Sequence, residues 1–394
     1  MRCVCHSFHI VASNALRFIP DEVEICCREI YAHFNCSAKR QNILKEFQEF
    51  CNVKPHKMLH PSQTRWLSLH AVIKRLIEQY NALLLYFAGT YLEDTLNKKQ
   101  CEKIYRILEK PSTILYLDFL NFFLPLFTKL NIEMQSDDIK IHILYDRIEL
   151  TLKTIADCFL KKEYLNSLPN IFLINLNNIE NFESLGNLYL GPQLCSKLED
   201  SVLTESEMSD FKDNCRNFLI KSCKEIIKRF DFCDEGEVFK LLKFVSPASL
   251  KNKTFSSLGP LSKYFSNVFS EGEWNELDLE YRSLRNLNLI DISTENVQQF
   301  WKNVLNIKFG DETEMFPHMK KLISFIFCLP HSGAGAERLF SAVNLNRTRL
   351  RNKLQNPTLS GILFTKALVK RNKCVDFEVE KDCVNLHNKN MYKN

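Results

Sequence analysis

The chain has 394 residues, 45% hydrophobic and 25% charged, enough to bury one large core or two moderate ones. Its formal net charge of +5 permits a nucleic-acid partner without arguing for one, because phosphate contact needs clustered charge rather than a small global surplus. With 30 Phe against only 10 Gly and 12 Pro, the composition argues against a many-turned β architecture and for helices.

The chain opens on Met1-Arg2-Cys3-Val4-Cys5-His6, without the apolar segment or cleavage site of a secretory signal. It enters dense Cys/His/apolar sequence at once, so Met1 reads as the start of a fragment or of a truncated gene model. The 15 cysteines, odd in number and scattered, read as reduced and mostly buried thiols of a nuclear or cytosolic protein. Residues 22–34 and 37–50 are predicted helices, followed by a loop from Cys51 to Thr64 that carries Pro55 and Pro61. Next, Leu69, Val72, Ile73, Leu76, Ile77, Tyr80, Leu83, Leu84 and Phe87 recur at steps of three and four. This predicts one amphipathic helix, with Lys74, Arg75, Glu78 and Gln79 off its stripe.

Further helices are predicted at 99–109, 113–130 and 138–161. The second is the most apolar, but Asp118, Asn121 and Pro125 break it short of the ~18 uninterrupted residues of a bilayer span, so no membrane partner is expected. Tyr164 to Pro192, rich in Asn and Leu, reads as irregular. Helices resume at 205–230 and 235–245, Ser246 to Ser262 reads as a loop, and acidic Glu271 to Tyr281 precedes a helix at 294–305.

The C-terminal module begins with Leu322, Ile323, Ile326 and Phe327, a short apolar face closed by Pro330. Glu337 to Asn344 is a second helix, with Leu339, Phe340 and Val343 predicted to face inward. Asn356-Pro357 reads as an N-cap followed by proline in the first helical turn. Leu359, Ile362, Leu363 and Ala367 then supply one apolar face, which Phe364 and Leu368 widen. After Val369 the sequence becomes a polar, disordered tail.

Four constellations carry chemistry. Cys3-x-Cys5-His6-x-x-His9 offers zinc-type ligands, but a finger needs two separated ligand pairs, so buried, hydrogen-bonded side chains are the better reading. Arg65-Trp66, at the head of an amphipathic helix, reads either as a phosphate contact beside a base-stacking ring or as a core Trp with a rim Arg. Glu337-Arg338 complements a helix dipole, and the preceding Gly333-Ala334-Gly335-Ala336 lacks the Lys-Ser/Thr of a phosphate loop, so no small-molecule substrate is expected. Arg347, Arg349, Arg351 and Lys353, with Arg338 nearby, could neutralise DNA phosphates or form a solvated loop.

Together these segments resemble hAT-family DNA transposases. The resemblance is densest in Leu329-Pro330, Ser332, Glu337-Arg338, Phe340-Ser341 and Arg349-Leu350-Arg351-Asn352-Lys353-Leu354, and it continues through Leu359 to Leu368. Cys3-x-x-His6 and Arg65-Trp66 precede it in the family's order. The resemblance implies a mainly α chain: the helical insertion domain of a ribonuclease-H-like transposase plus C-terminal core helices, with most of the core β-sheet missing. The implied domains are a residual core edge at 1–65, the insertion domain at 66–312, a dimerisation region at 313–372 and a tail at 373–394.

It also implies that Glu337 is the third of three carboxylates that hold two Mg or Mn ions in full-length relatives. The two Asp partners would lie upstream of Cys3, so no metal, no cofactor and no strand-transfer activity are expected of this chain. What remains is a nuclear, transposase-derived protein that self-associates through Leu339, Phe340, Val343, Leu359, Ile362, Leu363 and Ala367, with DNA contact through Arg65, Trp66 and the basic cluster. The alternative is a domesticated host protein using the same helices to bind proteins or to tether DNA without cutting it.

Overall fold

The computed structural model describes residues 3–61, 67–93, 98–230, 232, 235–287, 296–349 and 351–372. The chain runs through α1 (Val4–Leu16), α2 (Asp21–Asn35), α3 (Ala38–Phe50), α4 (Leu67–Glu78), α5 (Tyr80–Glu93), α6 (Lys98–Glu109), α7 (Pro111–Met134), α8 (Leu144–Ala156), α9 (Lys162–Ser167), α10 (Pro192–Glu199) and α11 (Glu205–Arg229). There follow α12 (Val238–Leu241), α13 (Pro247–Lys251), α14 (Glu271–Asn286), α15 (Val297–Leu305), α16 (Pro317–Cys328), α17 (Ala334–Asn346) and α18 (Asn356–Asn372). The protein is mainly α. Among the described residues no β-strand forms, and only isolated bridges join Leu160 to Phe182 and Lys308 to Glu314.

Side-chain caps set several helix starts. Ser37 accepts the Arg40 N–H ahead of α3, and Thr204 with Glu207 closes a capping box at α11. A second capping box, Ser270 with Glu273, starts α14, so the acidic stretch from Glu271 to Tyr281 is itself helical. Part of the expected loop from Ser246 is also helical, because Pro247 sits at the first position of α13. The single stripe over Leu69–Phe87 is divided between α4 and α5 at Gln79. There the Gln79 N–H is shared between the Arg75 and Leu76 carbonyls, each at 3.2 Å. The side chain turns inward and donates to the Lys54 carbonyl at 3.1 Å, so Gln79 is buried rather than off the stripe.

The chain divides after Ser332 into two units. The first contains two apolar cores. The larger is organised around α7, whose buried face includes Leu117, Phe119, Leu120, Phe123, Leu124 and Phe127, with α1, α4, α6 and α10 packed on it. Aromatic rings bridge α7 to α11: Tyr116 meets Phe211 at 4.7 Å and Phe119 meets Phe218 at 5.1 Å between centroids. By length and composition α7 is apolar enough to cross a membrane, but 67% of its most apolar window is buried in the protein. Its polar residues are satisfied there. Asp118 pairs with Lys197 at 2.5 Å, and Asn131 donates to the Cys5 carbonyl at 3.3 Å.

The second core joins α14, α15 and α16 with residues around Phe244. Leu322, Ile323 and Ile326, read from sequence as the start of the C-terminal module, are buried in this core. Glu280 on α14 caps α16 from outside its own sequence, accepting the His318 and Met319 N–H groups at 3.1 and 2.8 Å. Trp301 is fully buried and donates its Nε1–H to the Val245 carbonyl at 2.7 Å. Replacing Trp301 with Phe leaves that carbonyl unpaired in a dry site, which costs about 1–3 kcal/mol. The expected result is a lower urea midpoint with an unchanged slope; an unchanged midpoint would mean that the bond contributes nothing net.

Candidate functional site

The second unit is a pair of helices. Its first, α17, begins after Gly333 and carries Glu337 in its opening turn, where a carboxylate complements the positive end of the helix dipole. The two helices are tied by Asn346, buried at the end of α17. Asn346 donates to the Ala342 carbonyl at 2.6 Å and accepts from Lys366 Nζ of α18 at 3.0 Å. Leu359 is buried, whereas Val343, Ile362 and Leu363 are half-buried.

Leu339 and Phe340 are not inward-facing as the sequence reading had them. They are 52% and 66% exposed, and Leu345, Phe364 and Leu368 are also open to solvent. Ala367 is exposed too. The reason is geometric: a pair of helices offers each member only one narrow buried seam, and the rest of a wide apolar stripe has nothing to cover it. Phe340 and Phe364 are therefore left as large exposed apolar side chains of this unit.

The same unit is strongly basic. Between Gly333 and Asn372 there are eight Lys and Arg residues and one acidic residue, Glu337. Arg347, Arg349, Arg351 and Lys353 lie exposed in the connection between α17 and α18, and no carboxylate among the described residues pairs with them. Arg338 is exposed in the first half of α17. With Glu337 as its one acid, this segment does not fit a two-metal carboxylate site. Among the described residues, no group of three His, Cys, Asp or Glu side chains is placed to hold a metal ion.

Compared with protein-family models and with curated proteins, the chain matches none.

The remaining motif residues are dispersed. Cys3 precedes α1 half-buried, and His6 is exposed rather than buried, its ring stacked on His9 at 6.1 Å. One turn of helix separates them, and neither is drawn into a ligand cluster. Arg65 and Trp66 lie outside the described residues.

One polar group was missed. His331, at the end of the first unit, donates to the Met134 carbonyl and leaves its buried Nε2 unpartnered. Lys140, His142 and His331 interact electrostatically. His142 is 6% exposed and its Nδ1 has no hydrogen-bond partner. Ile141-His142-Ile143 resembles any apolar helix start, so no local pattern distinguishes it. Burial first, then the charges of Lys140 and His331, lower the His142 pKa from 6.5 to about 4.

The sign of the linkage follows. Below pH 6.5 the unfolded chain binds a proton at this position that the folded chain refuses until about pH 4. Stability therefore falls across that window, by at most about 1.4 kcal/mol per pH unit, and this contribution stops changing below it. The His142→Gln variant is expected to lose less stability than the parent between pH 6.5 and 4.5 in urea titrations; parallel losses would show that His142 is not the group responsible. Within the second unit, Asn346→Ala is expected to weaken the helix pairing by about 1–2 kcal/mol. Faster amide exchange in α18 would report this, and unchanged exchange would contradict it.

Proposed function

We propose that this chain is a transposase-derived protein of the hAT type whose C-terminal helix pair mediates self-association and contacts nucleic acid without cutting it. The observation that carries the reading is the second unit itself. It combines exposed Leu339, Phe340, Leu345, Phe364 and Leu368 with an excess of basic side chains on two helices too short to bury them.

The order of sequence features supports the ancestry: Cys3-x-x-His6, then Arg65-Trp66, then Leu329-Pro330 with Glu337-Arg338 and Phe340-Ser341. On this reading the first unit corresponds to the helical insertion domain of a ribonuclease-H-like enzyme, and Glu337 is a carboxylate kept from an ancestral metal site. Nuclear residence and DNA contact through Arg338, Arg347, Arg349, Arg351 and Lys353 belong to the same reading.

In the association, the exposed rings of one copy bury against those of another. Each fully buried Phe or Leu contributes about 1.5–3 kcal/mol, and a handful of such residues is enough for micromolar affinity. Light scattering of the full chain is expected to give a dimer mass at micromolar concentration, and the double variant Phe340→Asp, Phe364→Asp a monomer of unchanged helicity. A monomeric parent would remove the basis of the proposal.

Nucleic-acid contact is checked separately. Changing Arg347, Arg349, Arg351 and Lys353 to Ser should weaken binding to a DNA duplex and flatten its salt dependence, since each phosphate contact adds about 0.9 to the logarithmic slope. Cleavage of a DNA end by the purified chain with magnesium or manganese would overturn the non-catalytic reading.

A further inference from the structure

Arg347, Arg349, Arg351 and Lys353 occupy the connection between α17 and α18, and one hydroxyl stands among them. Thr348 has an arginine on either side in sequence and a third three residues on. Between Gly333 and Asn372 there are five Ser and Thr residues, and four of them, Ser341, Thr358, Ser360 and Thr365, lie within the two helices. Thr348 lies outside both.

That difference decides which hydroxyl an enzyme can reach. A peptide-modifying enzyme takes its substrate as an extended segment laid in a groove, so a hydroxyl within a helix must first be unwound. Ser341 sits in the middle of α17, and the Thr365 hydroxyl donates to the Gly361 carbonyl at 2.9 Å. Thr348 is exposed, and among the described residues its hydroxyl has no hydrogen-bond partner. Its backbone is held by a turn bond from the Arg351 N–H to the Thr348 carbonyl at 2.9 Å, which opens at little cost where water or a groove replaces it.

Charge supplies a second, independent observation. Glu337 is the one acid in the segment, and no carboxylate among the described residues pairs with the four cations around Thr348. They are available to the carboxylates of an arginine-directed kinase, which selects substrates by complementary charge.

We propose that Thr348 is a phosphorylation site for an arginine-directed Ser/Thr kinase, and that its phosphate switches off nucleic-acid contact by this segment. The switch rests on the nucleic-acid reading given above; the modification itself does not. The Thr348 hydroxyl oxygen attacks the γ-phosphorus of ATP, and the new O–P bond forms as the bond to the β–γ bridging oxygen breaks. ADP departs, and the hydroxyl proton passes to the catalytic aspartate of the kinase. The product carries a charge of about −1.5 to −2 at neutral pH. It repels a nucleic-acid backbone, and its oxygens accept charge-assisted hydrogen bonds from the same guanidinium groups that would meet that backbone.

The site is tested by incubating the full chain with magnesium, ATP and the catalytic domain of protein kinase C, an arginine-directed enzyme. Intact mass is expected to show one added phosphate, peptide masses to place it on Thr348, and Thr348→Val to lose it. Changing Arg347, Arg349 and Arg351 together to Gln should lower kcat/KM for the transfer by about tenfold, one charge-assisted contact or more, with circular dichroism unchanged. No transfer to the folded parent, transfer mainly to another residue, or an unchanged kcat/KM in the triple variant would overturn the site.

The switch is tested by DNA duplex binding before and after phosphorylation. In about 0.1 M salt the phosphorylated chain should bind about tenfold more weakly or worse, with a logarithmic salt slope lower by about 1.8, the share of two phosphate contacts. Kinase-treated Thr348→Val should bind as it does untreated. Equal binding by the parent before and after phosphorylation would overturn the switch alone. A parent that binds no duplex would overturn the nucleic-acid reading and the switch together, while the site stands or falls on the mass measurement.

Discussion

The constraint on which the first unit depends is α7, a 24-residue helix so apolar that it must be covered nearly all round. Helices α1, α4, α6 and α10 meet it directly, and α11 reaches it across a layer of aromatic rings. The high Phe content has its structural use here, since rings span a gap that aliphatic side chains leave open. Burial then dictates the treatment of the polar residues of α7. Asp118 is almost fully enclosed and takes the ammonium of Lys197, while Asn131 is held by the Cys5 backbone. Each is a place where one missing partner would leave a polar group stranded in a dry core.

A similar economy holds in the rest of that unit. Glu225 of α11 is nearly buried but accepts from Lys221 and Arg229 on its own helix, both at 3.0 Å. Burial pushes its carboxyl up, but hydrogen bonds from Lys221, Asn14 of α1 and Arg229 together hold it below the usual range. Glu280 caps a helix belonging to another element, and Trp301 pairs with a carbonyl far away in the chain. These polar contacts specify how the helices dock, whereas the apolar contacts supply the driving force.

The second unit is governed by the opposite condition. Two helices cannot enclose a stripe as wide as that from Leu339 to Leu345 on one side and Leu359 to Leu368 on the other. Large apolar side chains are left at the surface of a segment that also carries exposed arginines. Charge is segregated as well: the whole chain has a net charge of only +5, yet the segment from Gly333 to Asn372 holds a single acid among eight basic residues. This exposed apolar and basic character is what the proposed function rests on.

Helical class and the helices at 37–50, 113–130 and 205–230 were legible in the sequence, because period and composition are local properties. So was the existence of the two C-terminal helices. The division at Gln79, the exposure of Leu339 and Phe340, and the helix within the acidic stretch at 271–286 were not. In each case the outcome turned on which neighbours arrive: a carbonyl at Lys54 draws Gln79 inward, and among the described residues Phe340 stays largely uncovered. The sequence by itself determined that this chain is helical, where its basic and apolar residues cluster, and which motif residues stand in order. Only the tertiary structure decided which of those residues face solvent, and it alone brought Glu280 to the head of α16 and Trp301 to the Val245 carbonyl. Such long-range juxtapositions are set by how the helices pack, and periodicity along one helix does not record which other helix packs beside it.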